Sequence, residues 1–312
     1  MVEVIAYSAE KHKEWDAFID VSKNGTFMLK RGYVEYHSDR FTDFSLMFYD
    51  EGKLVAVMPA SLHGDEVRSH GGLTYGGIIS DHRMTTKKML SVFDALTSYL
   101  KENNIKKLLY KRVPSVYHTY PADEDLYVLF INEAKLIRRD MSTAVYLPNR
   151  IKLSKGKKWG ISRAKQGGVI VKKFDDFDLF IEKENEVLKE RHNTQAVHTG
   201  AELKLLSERF PDNIALYGAF LNDEFLAGTL VFVTPTVAHT QYITTTEKGR
   251  DMFAFDFLGN ELISNVYADK IWFDFGISTE NGGMVLNEGL CQQKETFGGR
   301  SIVYDFYELE IK

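Results

Sequence analysis

Hydrophobic residues along the first half of the chain follow two periods in turn. They alternate with polar residues over 54–62, as in a half-buried strand, and recur every three to four residues over 86–103, as in an amphipathic helix. An Asp-Glu-Gly sequence at 50–52 follows an apolar run at 45–49 and predicts a hairpin turn. The other elements predicted in this half are strands at 2–7, 107–112 and 142–147, and helices at 12–21, at 30–37 and from 123.

The second half of the chain repeats this order of elements. The predicted elements are strands at 169–172, 214–220, 225–233, 239–245, 271–275 and 302–308, and helices at 176–191, 202–210, 252–267 and 286–297. A hairpin turn recurs at Asn222-Asp223. We interpret the repeat as a duplication, which predicts two domains, at 1–148 and 149–312.

Composition narrows the class of protein. The chain has 312 residues, 44% hydrophobic and 27% charged, and this excludes a disordered or collagenous protein. Its one cysteine, Cys291, allows no intramolecular disulfide, which is typical of a cytoplasmic protein. No run is apolar enough for a signal peptide or a membrane span. A net charge of −5 gives no general attraction to DNA, and the sequence leaves monomer and homodimer open.

One segment departs from this charge balance. Residues 150–165, which open the second half, are rich in Lys and Arg and contain no acid. Clustered cations bind phosphates, so the segment is a candidate site for a tRNA or for a nucleotide-linked acceptor. A solvated linker is the alternative. The candidate phosphate ligands are Lys155, Lys157, Lys158 and Arg163.

The order of elements resembles the fold of GNAT acyltransferases, present twice. The sequence resembles the FemABX-like and BioF2-like acyltransferases in several features. These are the paired halves, the basic segment, the ending Lys294-x-x-Phe297-Gly298, the sequence Asn-Gly-Thr-Phe at 24–27 and the glycine-rich run at 71–77. The resemblance implies an α+β fold of two tandem GNAT-like domains, each a mixed, mostly antiparallel sheet flanked by helices. It also implies transfer of an acyl or aminoacyl group to an amine, without metal or flavin.

Two residues are the catalytic candidates. The resemblance implies that Lys294 stabilises the charge that develops on the reacting carbonyl; the alternative is a lysine that meets the dipole at a helix end. Asp274, at the end of the apolar strand, is a candidate base toward the attacking amine, or it pairs with a neighbouring lysine. Cys291 lacks a recognisable base, so a buried structural thiol is the better interpretation.

The resemblance also implies binding residues. Arg191 matches the position of a phosphate-contacting arginine, or it pairs with acidic neighbours such as Glu190. The position of a phosphate-binding lysine in the first half falls near His37. His70 and Tyr75 line the acceptor cleft or serve the turn and core. The loop that binds CoA phosphates in GNAT enzymes corresponds to 246–252, which lacks the usual glycines. Donor phosphates are still expected at Lys248, Gly249 and Arg250.

The function predicted from the sequence is therefore acyl or aminoacyl transfer to an amine of a small-molecule or cell-envelope-precursor acceptor. Acyl-CoA or aminoacyl-tRNA serves as a co-substrate, and no tightly bound cofactor is expected. The scattered histidines predict no metal site. Two alternatives remain: an acyl-CoA-dependent GNAT N-acetyltransferase, and a non-catalytic binding module with a degenerate GNAT fold.

Overall fold

A computed structural model describes residues 1–192 and 194–312, without the side chains of Arg191 and His192. The chain divides into two compact units. Unit one contains 1–141, 279–285 and 303–312, and unit two contains 142–278 and 286–302. The division into duplicated domains at 1–148 and 149–312 stays a prediction.

The elements of the first half follow the predicted order. They are β1 (Val2–Ala6), α1 (His12–Val21), α2 (Arg31–Val34), β2 (Thr42–Asp43), β3 (Leu46–Asp50), β4 (Lys53–Met58), β5 (Ser61–His63), β6 (Glu66–Arg68), β7 (Ile79–Ser80), α3 (Thr86–Glu102), β8 (Lys107–Lys111), α4 (Glu124–Ile131) and β9 (Lys135–Tyr146). The predicted helix at 30–37 is a single α-turn followed by a 3₁₀ turn at Glu35–His37. The last strand begins at Lys135, seven residues before its predicted start at 142.

The elements of the second half are α5 (Lys155–Gln166), β10 (Ile170–Phe174), α6 (Phe177–His192), α7 (Gly200–Arg209), β11 (Ile214–Leu221), β12 (Glu224–Val233), β13 (Val237–Thr245), α8 (Glu247–Asp251), α9 (Ala254–Glu261), β14 (Trp272–Ile277), β15 (Thr279–Glu280), β16 (Val285–Leu286), α10 (Glu288–Glu295) and β17 (Arg300–Glu310). Helix α5 contains the basic segment from Lys155 onward, whereas 150–154 precede it as irregular backbone. A phosphate-binding role for the segment stays a prediction. The helix predicted at 252–267 is divided into α9 and a π-helical turn at Leu262–Val266.

Unit one contains two groups of paired strands. Strands β1, β3, β4 and β7 form an antiparallel sheet. Strands β17, β8, β6, β5 and β2 lie side by side in that order, and β6 and β8 run parallel. Glu51 and Gly52 have φ values of 51° and 73°, which produces the predicted tight hairpin turn between β3 and β4. The core combines Phe48 and Tyr110 with the stripe of α3 that includes Phe93.

In unit one, Lys111 holds the loop that follows β6. Its buried Nζ donates to the carbonyl oxygens of His70, Gly71 and Leu73 at 2.9, 3.1 and 2.8 Å. We expect Lys111→Met to reduce the free energy of unfolding by about 1 to 3 kcal/mol, because buried acceptors lose their donor. Urea unfolding measures this loss. Lys107→Met on the same strand is the exposed control, and an equal loss in both variants would show that the buried contacts do not stabilise the unit.

Unit two contains a mixed sheet. Strands β10, β11, β12 and β13 are antiparallel neighbours, β13 and β14 run parallel, and β14 pairs with the end of β9 in the antiparallel sense. Helix α9 packs on β11 and β12, and α6 packs on β13. Phe255 and Leu258 of α9 are buried with Phe273 of β14 and Phe297. The predicted fold class, tandem α+β units with mixed, mostly antiparallel sheets and flanking helices, is confirmed.

Candidate active site

The central feature of unit two is the place where β13 and β14 separate. The two strands pair at three positions, the last of which joins His239 to Asp274. Beyond that pair, β13 continues to Thr245 with β12 as its described partner, and β14 continues to Ile277. Adjacent strands in a sheet normally lie about 4.8 Å apart and leave no room for a ligand. Their separation therefore opens a gap between the two strands.

A cavity of about 300 Å³ lies at this gap. Ile243 and Thr245 line it from β13, and Phe275 lines it from β14. Helices α6, α8, α9 and α10 and residues next to their ends close the other sides, through Val187, Gly249, Arg250, Phe253, Phe255, Asp256, Leu290, Gln293, Lys294 and Phe297. The cavity thus combines apolar side chains with polar and charged ones, as small-molecule sites do.

Helix α10 carries Lys294 to the wall of this cavity. The helix begins after Asn287, whose side chain accepts a hydrogen bond from the backbone N–H of Leu290. Lys294 is only 5% exposed, and its Nζ donates to the carbonyl oxygens of Gly276 and Ile277 at 2.8 and 2.7 Å. An ammonium group has three donors. One donor is therefore available to a ligand, as judged from the part of the chain that the structure describes.

The surroundings of Lys294 also tune its protonation. Burial lowers the pKa of its ammonium to about 8, and the charge of Asp274 partly opposes this effect. The group is therefore still mainly protonated at neutral pH. A buried cation has few water contacts, and it interacts strongly with nearby charges because the local dielectric constant is low. Lys294 is thus suited to stabilise a negatively charged oxygen in the cavity.

Asp274 forms a buried pair with His239. Its carboxylate is fully buried, and Oδ2 lies 3.0 Å from Nδ1 of the imidazole. Oδ1 accepts hydrogen bonds from the hydroxyl of Ser142 at 2.5 Å and from the backbone N–H of Gly276 at 2.9 Å. If Nδ1 is the protonated nitrogen, Nε2 is the atom that can accept a proton. The His239 side chain is 11% exposed, so it is the more accessible member of the pair.

This pair changes the interpretation of Asp274. A direct role as base toward an amine stays a prediction, but its oxygens already accept from three groups of the protein. No sequence pattern pointed to His239. The pairing depends on the parallel register of β13 and β14. This register sets His239 beside Asp274, although the two residues are far apart in sequence.

Two of the three residues proposed for donor phosphates reach the cavity. Gly249 and Arg250 line it, but Lys248 does not and pairs instead with Glu224. The N–H of Gly249 donates to the hydroxyl of Thr246 at 3.0 Å, and Arg250 donates to the carbonyl of Thr245 at 2.9 Å. Arg250 is therefore the cation of this loop that is best placed to meet a donor.

The basic segment divides into one buried and three exposed candidates. Lys157 is buried, and its Nζ lies 2.6 Å from a carboxylate oxygen of Asp256 and 4.1 Å above the ring of Phe297. Lys157 thus ties α5 to α9, and its charge is already paired. Lys155, Lys158 and Arg163 are exposed on α5 and remain candidates for phosphate contacts. Arg191 lies in the last turn of α6, but its side chain lies outside the described residues.

Two of the candidates in unit one, His37 and His70, form a buried aromatic cluster. The rings of His37 and His70 stack with centroids 5.3 Å apart, and Phe41 packs against both. Burial lowers the pKa of His70 to about 3 and also lowers the pKa of His37, so both rings are neutral. Tyr75 is fully enclosed, and its hydroxyl donates to Thr26 at 3.2 Å. Of the two interpretations of Tyr75, its burial favours the core role.

Cys291 lies one helical turn before Lys294 on α10. It is 7% exposed, and burial raises the pKa of its thiol. Both observations favour the interpretation as a structural thiol. Among the described residues, no group of three or more His, Cys, Asp and Glu side chains is close enough to hold a metal ion. None of the helices in the described ranges is long and apolar enough to cross a membrane.

Comparisons with known proteins bear on this arrangement. Residues 153–281 match the family model of an acetyltransferase (GNAT) domain. No curated protein matches the chain in sequence. Among solved structures, FemX matches with a TM-score of 0.68 at 11% identity, over 97% of this chain and 96% of its own.

Two further structures are similar along the chain. L-PGS from Bacillus licheniformis matches with a TM-score of 0.64 at 11% identity, over 96% of this chain and 92% of its own. A tandem GNAT protein from the clavulanic acid biosynthesis pathway matches with a TM-score of 0.55 at 12% identity, over 100% of this chain and 99% of its own. The resemblance drawn from the sequence is confirmed at the level of the fold: the chain has a tandem GNAT fold like that of FemX and of the tandem GNAT protein, and residues 153–281 match a GNAT acetyltransferase domain.

Proposed function

We propose that unit two transfers an acyl or aminoacyl group from an activated donor to an amine of a small-molecule or cell-envelope-precursor acceptor. The observation that carries the proposal is Lys294, a buried ammonium with a donor to spare, in the cavity where β13 and β14 separate. The match of 153–281 to an acetyltransferase domain supports the class of reaction. The fold shared with FemX and L-PGS is compatible with an acceptor from the cell envelope.

The proposed reaction is a direct attack of the amine on the donor carbonyl. The nitrogen forms a bond to the carbonyl carbon, and its proton passes to Nε2 of His239, directly or through water. The carbonyl oxygen becomes negative and meets the spare N–H donor of Lys294. The intermediate then expels the thiolate of CoA or the ribose oxygen of tRNA, and the leaving group takes up the proton. In this scheme Asp274 holds the imidazole of His239, and direct proton transfer to Asp274 is the alternative.

The donor is proposed to be a co-substrate, acyl-CoA or aminoacyl-tRNA, that binds only for the reaction. Arg250 lines the cavity and is suited to meet a phosphate or a carbonyl of either donor. Calorimetric titration distinguishes the two donors. Saturable micromolar binding of CoA favours the acyl-CoA enzyme, whereas binding of an aminoacylated RNA hairpin without CoA binding favours the tRNA-dependent enzyme. A cytoplasmic location and a monomeric or homodimeric state stay predictions.

The experiment that tests the function is a transfer assay on the full chain. The protein is incubated with mixed acyl-CoAs or mixed aminoacyl-tRNAs and with amine acceptors, including amino sugars and envelope-precursor extracts. Mass spectrometry follows both the donor and the acceptor. We expect one acceptor to gain the mass of the donated group, and we expect Lys294→Met to slow this gain by about 10² to 10³-fold. If no donor is consumed with any acceptor, the proposal fails and the non-catalytic binding module is favoured.

A further inference from the structure

Strand β1 forms an open edge of the antiparallel sheet in unit one. The strand order is β1-β3-β4-β7, so β1 has β3 on one side, and no strand within the described ranges pairs with its other side. A strand at a sheet edge presents unpaired backbone groups to which another extended chain can hydrogen-bond. The sheet of unit one can therefore be extended at β1.

The hydrogen-bond pattern identifies the free backbone groups of this edge. Just beyond β1, the N–H of Tyr7 donates to the carbonyl oxygen of Ser45 at 2.8 Å, and β1 pairs with β3 without a bulge. In an antiparallel pair, opposed residues alternate between hydrogen-bonded and non-hydrogen-bonded positions. Counting back from this bond, every second residue of β1 bonds to β3. The N–H and carbonyl groups of Val2, Val4 and Ala6 therefore point to the open side.

A groove of about 490 Å³ lies beside this edge, between β1 and helix α3. Val2 and Val4 line it from the strand, and Ala95, Ser98 and Tyr99 are among the residues that line it from the helix. Val4, Ala95 and Tyr99 are apolar side chains that the core leaves partly exposed. Every second side chain of a strand lies on the same face, so a strand added beside β1 would place alternate side chains over the groove. The groove is therefore suited to an apolar side chain of such a strand.

Two carboxylates line the groove on either side of this apolar part. Asp94 and Glu102 are both exposed, and in the part of the chain that the structure describes neither forms an ion pair. They are about 12 Å apart along α3, at 1.5 Å per helical residue. Two side chains that are four residues apart on one face of a strand are about 13 Å apart. The two carboxylates therefore match cations placed two residues before and two residues after the apolar side chain.

Charge also distinguishes between the candidate occupants of this edge. A second copy of the chain, paired through its own β1, would bring the same carboxylates of two grooves close together, and like charges oppose such a contact. A segment that carries Lys or Arg is attracted by Asp94 and Glu102 instead. Charge complementarity therefore favours a basic segment of another protein over self-association.

We propose that the β1 edge of unit one binds an extended segment of a partner protein with the pattern Lys/Arg-x-apolar-x-Lys/Arg. The segment adds a strand to the sheet through the free backbone groups of Val2, Val4 and Ala6. Its apolar side chain lies in the groove, and its two cations contact Asp94 and Glu102. The groove and the cavity of unit two are lined by different residues, so this binding does not depend on the proposed transfer reaction.

Fluorescence anisotropy on the full chain tests the contribution of charge. A fluorescein-labelled peptide with the core Lys-Thr-Val-Thr-Lys is expected to bind saturably, and the matched peptide with Glu in place of Lys is expected not to bind. The double variant Asp94→Asn, Glu102→Gln should weaken binding by about 2- to 30-fold, the effect of two exposed ion pairs. Glu10→Gln removes an exposed acid of unit one outside the groove and should leave the affinity unchanged.

Backbone methylation tests the added strand itself. One version of the peptide carries N-methyl on its valine, and another carries it on its threonines, so the two versions block opposite edges of the strand. One version should lose binding and the other should keep it, because one edge of the added strand bonds to β1. Ser98→Trp should abolish binding by filling the groove, in a protein that thermal unfolding shows to be folded.

Three results would overturn the inference: no binding of the Lys peptide, equal effects of the two methylations, or unchanged affinity in the double variant. Sedimentation of the free protein tests the second copy as occupant. We expect the peptide to leave the sedimentation behaviour unchanged. A dimer that the peptide dissociates would assign the edge to self-association and would also overturn the inference.

Discussion

Lys294→Met is expected to reduce the rate of acyl transfer by about 10² to 10³-fold, the usual effect of removing one donor to a developing oxyanion. Methionine keeps most of the length of the side chain but provides no N–H donor. The carbonyl oxygens of Gly276 and Ile277 also lose their partner, so part of the effect is structural. Single-turnover kinetics on correctly folded protein, checked by thermal unfolding, measure the catalytic part.

Two variants separate catalysis from folding in this prediction. Lys204→Ala, an exposed lysine on α7, should leave the rate unchanged. Lys294→Arg keeps a positive charge and should retain part of the rate. If Lys294→Met is as active as the wild type while its thermal stability falls, then Lys294 only joins α10 to β14, and the mechanism loses its oxyanion donor.

The pH dependence of the rate provides a separate prediction for Lys294. Its pKa is lowered to about 8 by burial, with the charges of Asp274 and Cys291 opposing the shift, and Arg250 and Asp256 face it across the cavity. Because the protonated ammonium is the active form, the rate should fall as the pH rises through about 8. Lys294→Arg should abolish this descending limb, since a guanidinium stays charged. A limb that persists in Lys294→Arg would assign it to another group.

The second large effect is expected at the buried pair of His239 and Asp274. His239→Gln should reduce the rate by about 10² to 10⁴-fold, the range that a general base contributes. Asp274→Asn should cause a similar loss, because the imidazole loses its acceptor at Nδ1. The double variant should be no slower than the slower single variant, since residues that act as a unit are not additive.

Asp274 also accepts hydrogen bonds from Ser142 and Gly276. Asp274→Asn is therefore expected to reduce the stability of the folded protein as well as the rate. His239→Gln therefore provides the decisive comparison, with the exposed His82→Gln as its control. Steady-state kinetics with a saturating donor give kcat and KM separately. If His239→Gln changes KM alone, the imidazole binds the acceptor and the base is elsewhere. If His239→Gln matches the His82→Gln control in every parameter, the pair is structural.

The sequence predicted most helices and turns well, because neighbouring residues determine the periodicity of a helix and the conformation of a turn. The stripe at 86–103 identified α3 to within one residue at its C-terminal end, and the Asp-Glu-Gly turn identified the β3–β4 hairpin. The motif around Lys294 identified a lysine that lines the cavity. The extra length of β9 was missed because charged residues at 135–140 hide the alternation of a strand whose residues are mostly exposed there.

Features that depend on contacts between residues distant in sequence could not be predicted from local sequence patterns. The charge run at 150–165 indicated exposed cations, but Lys157 is buried because Asp256, distant in sequence, supplies its partner. His239 acquires its role from Asp274 on a neighbouring strand. The left-handed backbone at Phe253 has no sequence signature, since glycine and asparagine are the usual residues there.

The proposed mechanism requires the carbonyl of the donor to lie in the cavity between β13 and β14, against Lys294. The most direct measurement is a crystal structure of the protein with a non-reactive donor analogue in which a ketone or an amide replaces the reactive carbonyl group. We expect a carbonyl oxygen at about 2.7 to 3.1 Å from Nζ of Lys294, the distance of an oxyanion donor. A bound analogue whose carbonyl lies outside the cavity, with Nζ contacting only Gly276 and Ile277, would contradict it.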